Sequence, residues 1–280
     1  MNLLGIDFEE WFHIELIQRN LKTMTTNLSV IHSIDKIIDW LRRNDTYATF
    51  FMVGELLKAR PELLDKILSN GHEIAFHTMR HTRLDSTSYN KELFEREIKE
   101  FQKLTSHKSK GFRAPSFSLC HNTSWAIDVL YENNYIYDSS IVPAKTRLYG
   151  VPGAEHSPYR ISNLSIEHDD KDGRIIEFPL LTTRILGKSI PAAGGFYLRT
   201  LPMWMIERAI LDVNNKGKPA AFYIHSWEIA PEFMPKISLP LIDNFITYYN
   251  LTYAFRRMDY LLKKFKFSSF DNFIRYNNPN

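Results

Sequence analysis

The strongest constraint on the fold is a regular alternation of short apolar runs with longer amphipathic stretches. Residues 3–7, 47–54 and 72–77 have the length and apolar character of buried strands. Later runs of the same kind occupy residues 110–115, 135–138 and 219–225. Strands separated by helices pair in parallel through right-handed crossovers. The sequence therefore predicts an α/β domain, built as an open sheet or a barrel.

Two parts of the chain depart from this alternation. Residues 141–191 hold turn-rich pieces around an apolar run at 174–179, a pattern that predicts a small antiparallel insertion. From about residue 240 the pattern is helical again, which predicts a C-terminal helical extension. We expect a single domain over residues 1–280 that carries both additions.

Composition excludes several classes of function. Lys and Arg number 35 and Asp and Glu 32, interleaved along the chain, so no basic field for nucleic acid is present. The single cysteine, Cys120, excludes an internal disulfide framework and cysteine-rich zinc sites. No apolar run reaches the roughly 18 residues of a membrane span. The N-terminus reads as a strand and not as a signal peptide, so we expect a cytoplasmic protein.

Polar side chains follow most of the predicted strands, at the edge where parallel α/β folds place their chemistry. Asp7, Glu9 and Glu10 follow the first strand. Later strands end at His77 (with His81 just beyond), Arg113, Asp138 and His225. Each residue alone has an ordinary structural explanation, such as a helix cap, an ion pair or a core histidine. Their shared position at one rim predicts a functional site.

The spacing of His77 and His81, four residues apart, suggests half of a metal site. Two imidazoles and one carboxylate, with an open position for water, form a catalytic site of the zinc type. Side chains alternate along a strand, so Asp7 and Glu9 would share one side and Glu10 would face the other. We expect Glu9 to be the ligand, with Glu10 as the alternative. A second carboxylate can then take a proton from water, and a separate histidine can protonate a leaving group.

Five motifs resemble those of the polysaccharide deacetylases of carbohydrate esterase family 4. In chain order they are I-D-F-E-E-W-F-H (6–13), H-T-M-R-H (77–81), F-R-A-P-S-F (112–117), Y-D-S-S (137–140) and F-Y-I-H-S-W-E (222–228). Two further segments, 177–180 and 194–202, resemble the branch associated with bacterial exopolysaccharide synthesis. The likeness extends from residue 3 to about residue 232.

This resemblance implies a fold and a cofactor. The fold is a distorted (β/α) barrel of about seven strands. The cofactor is one divalent metal ion, with zinc as the expected ion, held by Glu9, His77 and His81.

The same resemblance implies catalytic roles. Asp7 falls at the position of the general base and Arg113 at that of the arginine that orients it. His225 falls at the position of the general acid, and Asp138 matches an aspartate that positions or tunes this acid.

Six further residues are candidates for substrate contact: Trp11, His13, Ser116, Tyr197, Arg199 and Trp227. The backbone N–H near Ser116 is the candidate donor to an oxyanion. Two of the six have a structural alternative. Arg199 could be a snorkelling arginine in a turn, and Trp227 could be a core residue.

The expected function is metal-dependent hydrolytic removal of an N-acetyl group from an amino sugar of a bacterial polysaccharide or its precursor, with release of acetate. The substrate could be polymeric, lipid-linked or nucleotide-linked. One alternative is hydrolysis of another C–N bond, in a cyclic imide or ureide, on the same fold. A second alternative is a carbohydrate-binding relative without turnover.

Overall fold

The structure is a computed structural model, and it describes residues 1–21 and 28–277. Its strands are β1 (Asn2–Phe8), β2 (Thr49–Met52), β3 (Glu73–Phe76), β4 (Gly111–Phe112), β5 (Tyr137–Asp138), β6 (Tyr159–Ile161), β7 (Ile175–Glu177), β8 (Thr182–Ile185), β9 (Lys188–Pro191), β10 (Ala221–His225) and β11 (Phe267–Ser268). Its α-helices are α1 (Glu15–Gln18), α2 (Ile34–Arg43), α3 (Gly54–Ala59), α4 (Glu62–Ser69), α5 (Lys91–Leu104), α6 (Trp125–Glu132), α7 (Gly195–Thr200), α8 (Met203–Asn214), α9 (Ser226–Ile229), α10 (Leu241–Tyr248), α11 (Leu251–Lys264) and α12 (Phe270–Asn277).

Most strands join one nine-stranded sheet in the order β10-β1-β2-β3-β4-β5-β7-β6, with β11 beside the start of β1. The seven strands from β10 to β7 are parallel neighbours, and β6 runs antiparallel at the edge. A parallel bridge from Leu180 to Ala221 brings the chain after β7 back to β10. The sheet therefore curls into a nearly closed wall, and the predicted α/β fold with a distorted barrel of about seven strands is confirmed.

Residues 141–191, predicted as an antiparallel insertion, supply two kinds of strand. β8 and β9 form a separate antiparallel hairpin, and β6 pairs antiparallel with β7. β7 itself pairs parallel with β5 and belongs to the barrel wall. Only part of this segment therefore departs from the parallel architecture.

Two apolar layers result from the alternation of side chains along the strands. One set points into the barrel and packs against Phe270 of α12: Leu3, Phe51, Ala75, Tyr137, Phe178 and Ala221. The opposite set, which includes Leu4, Ile6, Phe50 and Phe76, belongs to the larger core that also contains the apolar faces of the helices. The ring of Phe270 on α12 stacks on Tyr137, with centroids 5.3 Å apart. α12 thereby closes the end of the barrel where the strands begin.

From Leu241 onwards, where the sequence predicts a helical extension, the described chain forms α10, α11 and α12, with the short strand β11 between α11 and α12. Asn250, between α10 and α11, has φ of 51° and lies in the left-handed region that stops an α-helix. Across the described ranges 1–21 and 28–277, no helix has both the length and the apolar character needed to cross a membrane.

Candidate metal and catalytic site

Glu9, His77 and His81 converge at the carboxyl ends of β1 and β3. One ligand atom from each lies within 4.8 Å of the other two, and all three side chains are buried. Glu9 Oε2 is 2.7 Å from His81 Nε2, yet within the described chain it has no hydrogen-bond partner. A buried carboxylate oxygen that faces imidazole nitrogens without a well-aligned hydrogen bond fits a divalent cation that accepts mixed nitrogen and oxygen ligands.

The backbone after β3 brings the two imidazoles together. Thr78 and His81 both have positive φ, 57° and 55°, and the two histidine rings lie with centroids 4.9 Å apart. His77 Nδ1 donates to the carbonyl oxygen of Arg113 at 2.7 Å, which leaves Nε2 with its lone pair. Burial lowers the pKa of His77 to about 4, so its imidazole is neutral at neutral pH. A neutral imidazole is the form that binds a metal ion.

The structure places Glu9, and not Glu10, beside the two histidines. The carboxylate of Glu10 accepts the backbone N–H groups of Ser29, Val30 and Ile31, at the start of a short 3₁₀ helix. Glu10 is thereby committed to a helix N-terminus, where a negative charge is stabilised.

The environment of Glu9 keeps it ionised. Burial alone would raise the pKa of Glu9, but the nearby imidazoles of His81, His225 and His77 lower it far below its usual range. The indole of Trp227 also donates to Glu9 Oε1 at 2.9 Å. Glu9 therefore offers an oriented anionic oxygen to the cluster.

Asp7 lies one alternation before Glu9 and forms a buried ion pair. Arg113 Nη1 donates to Asp7 Oδ1 at 2.6 Å, and the guanidinium lies 3.9 Å from the centre of the Phe51 ring. Ser139 fixes the other side of the guanidinium, accepting from Nε at its carbonyl oxygen and from Nη2 at its hydroxyl. Arg113 is thus held on several sides, and it orients the Asp7 carboxylate.

His225 stands directly opposite Asp7 in the register of β1 and β10. Its Nδ1 donates to Glu228 Oε2 at 2.8 Å, and its Nε2 is 3.9 Å from Glu9 Oε1. Burial opposes a charge on this ring, but the carboxylates of Glu228, Glu9 and Asp7 together outweigh it and raise the pKa of His225. Glu228 therefore holds Nδ1 and favours the protonated ring.

The prediction that Asp138 tunes His225 requires correction. Asp138 Oδ1 accepts from the Ser140 hydroxyl at 2.6 Å, and Asp138 pairs in register with Glu177. Within the described chain, the carboxylates that form ion pairs with His225 are those of Glu9 and Glu228. Asp138 Oδ1 is hydrogen-bonded to Ser140, whereas Glu228 Oε2 accepts from His225 Nδ1, so Glu228 takes the place expected of Asp138 beside this ring.

Asp138 instead supports the loop that carries Arg113. The Ser140 hydroxyl that donates to Asp138 also accepts the backbone N–H of Ala114 at 2.8 Å. Burial raises the pKa of Asp138, and burial with the neighbouring Asp138 charge raises that of Glu177. Two adjacent buried carboxyl groups cannot both ionise at low cost, so the pair holds a proton.

A cavity of about 230 Å³ opens onto these groups. Its lining includes Asp7, Glu9, His77, His81 and His225 together with the aromatic side chains of Phe117, Tyr149, Phe196, Tyr197, Tyr223 and Trp227. Such a mixture of aromatic walls and a few converging polar groups is typical of small-molecule sites.

Four of the six predicted substrate residues line this cavity: Ser116, Tyr197, Arg199 and Trp227. Trp11 and His13 do not, and their predicted contact with substrate requires correction. Trp11 packs into a separate apolar cluster, and His13 binds Glu55 at 2.7 Å and stacks behind His81. Both side chains are buried, and they pack on the side of the Glu9–His77–His81 cluster that faces away from the cavity.

Arg199 lines the cavity, but its guanidinium is already occupied. It donates to the carbonyl oxygens of Ile246, Thr247 and Tyr249, and its Nε lies 3.0 Å from Glu228 Oε1. The residue is only 3% exposed, so neither sugar contact by the guanidinium nor snorkelling to solvent describes it.

Sequence reasoning missed Glu228, the carboxylate that holds His225 Nδ1. The available signal was a carboxylate three residues after His225, at the start of a short helix. The structure shows a reciprocal cap at this point, because Glu228 accepts from both the backbone N–H and the ring of His225.

Comparison with known proteins gives two family matches that together cover most of the chain. The family described as polysaccharide deacetylase matches residues 31–131, and a domain of unknown function (DUF3473) matches residues 139–275. A chitooligosaccharide deacetylase of Rhizobium leguminosarum bv. trifolii is 41% identical over 69 residues, which are 25% of this chain and 31% of that protein. The chain spans less than half the length of the first curated relatives that it matches.

Two solved structures share the fold. A protein described as a polysaccharide deacetylase from Mycobacterium smegmatis aligns with a TM-score of 0.56 at 14% identity, over 98% of this chain and 90% of that one. Puue allantoinase aligns with a TM-score of 0.55 at 12% identity, over 99% and 92%. At these identities the likeness is one of fold alone. Together with the family matches, it leads to one conclusion: residues 31–131 match the polysaccharide deacetylase family, and the chain as a whole shares the fold of these two structures.

Proposed function

We propose that this protein is a metal-dependent N-deacetylase that removes the acetyl group from an amino sugar of a bacterial polysaccharide or its precursor and releases acetate. One observation carries the proposal. A Glu-His-His cluster, with its ligand atoms within 4.8 Å, shares a cavity with Asp7 and His225, which face each other on adjacent strands. A place in exopolysaccharide synthesis and a cytoplasmic location remain predictions from the sequence.

Glu9, His77 and His81 would hold the metal ion, and zinc suits this set of two nitrogen ligands and one oxygen ligand. When bound, such an ion supplies positive charge that polarises the acetyl carbonyl and makes water more acidic. Trp227 and the Arg113 carbonyl oxygen orient two of the three ligands, which keeps the cluster preorganised.

Proton transfers then fall to two side chains. As the water oxygen bonds to the acetyl carbon, Asp7 accepts the proton that the water loses. When the C–N bond breaks, His225 Nε2 donates a proton to the leaving nitrogen, because Nδ1 is held by Glu228. The products are acetate and the free amino sugar. Arg113 keeps the Asp7 carboxylate oriented throughout.

Ser116 supports the oxyanion formed between these steps. Ser116 and Phe117 both have positive φ, 51° and 50°, in a turn that borders the cavity. Strained backbone of this kind persists where the surroundings enforce it, often at functional sites. We infer that the Ser116 N–H donates to the developing negative charge on oxygen.

The test is acetate release by the full chain from N-acetylated chito-oligosaccharides, with zinc, with a chelator, and after zinc is restored. Release that stops with chelator and returns with zinc supports the proposal. Release that ignores the chelator would exclude the metal. Hydrolysis of a cyclic imide or ureide without acetate release would favour the first alternative, and sugar binding without turnover would favour the second.

A further inference from the structure

The C-terminal arm, defined here as residues 241–249, forms part of the cavity wall. It comprises α10 and the following Tyr249, and its residues Ile246 and Thr247 line the cavity. The break at Asn250 ends α10 early, so its last carbonyl groups lack the next helical turn. Such carbonyl groups need donors from elsewhere in the molecule.

Arg199 supplies these donors. Its Nη1 is 3.1 Å from the Thr247 carbonyl oxygen and 2.7 Å from that of Tyr249, and its Nη2 is 2.9 Å from that of Ile246. A cation at a helix C-terminus also faces the negative end of the helix dipole. Arg199 therefore pins the arm against the cavity.

The same guanidinium is connected to the candidate acid, His225, through Glu228. Arg199 Nε lies 3.0 Å from Glu228 Oε1, and Glu228 Oε2 accepts from His225 Nδ1 at 2.8 Å. Glu228 is fully buried and Arg199 nearly so. A buried carboxylate needs a paired cation close by, because an uncompensated buried charge is costly. Arg199 thus fixes the position of the group that fixes His225.

We propose that Arg199 is a positioning residue that couples the C-terminal arm to the general acid His225 through Glu228. The arm shapes the cavity, Arg199 joins it to Glu228, and Glu228 aims the proton of His225 at the leaving nitrogen. All of these residues lie within 139–275, so the inference gives the domain of unknown function a role. It rests on the proposed function.

Two substrates separate this role from a merely structural one. An N-acetylated chito-oligosaccharide needs a proton on its leaving nitrogen, whereas 4-nitrophenyl acetate loses a stable anion that needs none. For Arg199→Ala we expect kcat on the oligosaccharide to fall about tenfold or more, with the ester rate within about twofold of wild type. KM for the oligosaccharide should also rise, because the arm is released.

A second variant separates the contact of Arg199 with the C-terminal arm from the contact of Glu228 with His225. Glu228→Gln removes the anion but keeps Arg199 on the arm, so we expect a lower kcat for the oligosaccharide with little change in KM. The double variant should show no larger loss of kcat than Arg199→Ala, because both act through His225. Arg208→Ala, an exposed arginine on α8, is the matched control. If Arg199→Ala fails to fold, Arg199→Lys and Glu228→Gln carry the test.

Two results would overturn the inference: equal losses on both substrates, or fully additive losses of kcat in the double variant. Unfolding temperature and zinc content are measured on every variant, so that global damage is recognised. If wild-type protein releases no acetate from the oligosaccharide, the proposed function fails. If wild type is active and the arginine variants lose both activities alike, only the coupling fails.

Discussion

The two ends of the barrel both bury carboxylates, but they treat the charge in opposite ways. At the carboxyl ends of the strands, Glu9 lies among three histidines and its pKa is lowered. At the other end, Glu73 accepts hydrogen bonds from Thr49, the Tyr137 hydroxyl and the Asp271 backbone N–H. Burial raises the pKa of Glu73 to about 7, and within the described chain it forms no ion pair.

The difference shows what makes a buried acid functional in this fold. Hydrogen bonds alone leave Glu73 close to neutral, and the Phe270 ring of α12 packs against Tyr137 beside it. Imidazole partners lower the pKa of Glu9 and keep it available as an anion at an open cavity, and Arg113 orients Asp7 beside it. The end of the barrel at the C-terminal ends of the strands is therefore suited to chemistry, and the opposite end to holding the barrel together.

The largest expected effect comes from removing a proposed metal ligand at the open end of the barrel. His77→Ala removes one of the three ligands, so we expect zinc to be lost and acetate release to fall by about a thousandfold or more. Zinc content by mass spectrometry and acetate release are the measurements. His168→Ala, an exposed histidine, should leave both unchanged. Retained zinc and turnover in His77→Ala would show that the ligand set is wrong.

A substitution at the end of the barrel closed by α12 should lower the free energy of unfolding and leave the catalytic rate unchanged. Phe270→Ala removes a ring that packs against Phe51, Tyr137 and Phe178, so we expect about 3–5 kcal/mol less free energy of unfolding. Denaturant unfolding gives this value, with Tyr276→Ala on the exposed face of α12 as control. A loss below about 1 kcal/mol would mean that α12 does not seal the barrel.

The base can be tested apart from the metal. Asp7→Asn keeps a hydrogen-bond acceptor for Arg113 but cannot take a proton, so we expect kcat to drop about a hundredfold with zinc retained. Asp35→Asn, an exposed surface aspartate, serves as the control. Undiminished turnover in Asp7→Asn would remove Asp7 from the mechanism.

The smallest effect concerns Glu73 and pH. Its folded pKa of about 7 exceeds its ordinary value of 4.5, so the folded state holds an extra proton between these values. The stability from this group is complete below pH 4.5 and is lost as the pH rises through 7. Glu73→Gln cannot titrate, so the wild type should lose of order 2 kcal/mol relative to it between pH 5 and 8. Parallel pH profiles of unfolding would contradict the assigned pKa.

Much of the fold was predictable because it follows from local patterns. Apolar runs with helical stretches between them specify parallel strands, and both β3 and β10 end at a histidine-bearing rim as the sequence indicated. The broken C-terminal extension was not predicted, because the left-handed Asn250 gives only a weak signal in an otherwise helical pattern.

The supporting residues of the site were less predictable. His13 and Trp11 follow the predicted site residues Asp7 and Glu9 in the chain, yet they pack behind the Glu9–His77–His81 cluster. Arg199 has the sequence context of a sugar contact, but its guanidinium holds the C-terminal arm. Such roles depend on which distant carbonyl or carboxyl groups lie nearby, and spacing along the chain does not report that.

The sequence by itself determined the parallel α/β architecture and the acids and imidazoles available at its rim, because side-chain alternation and strand ends are local properties. Only the tertiary structure decided which of them meet: Glu9 instead of Glu10 at the histidines, and Glu228 instead of Asp138 at His225. The physical reason is that charge pairing and hydrogen bonding depend on distances of about 3 Å between residues far apart in the chain, and only the folded molecule sets those distances.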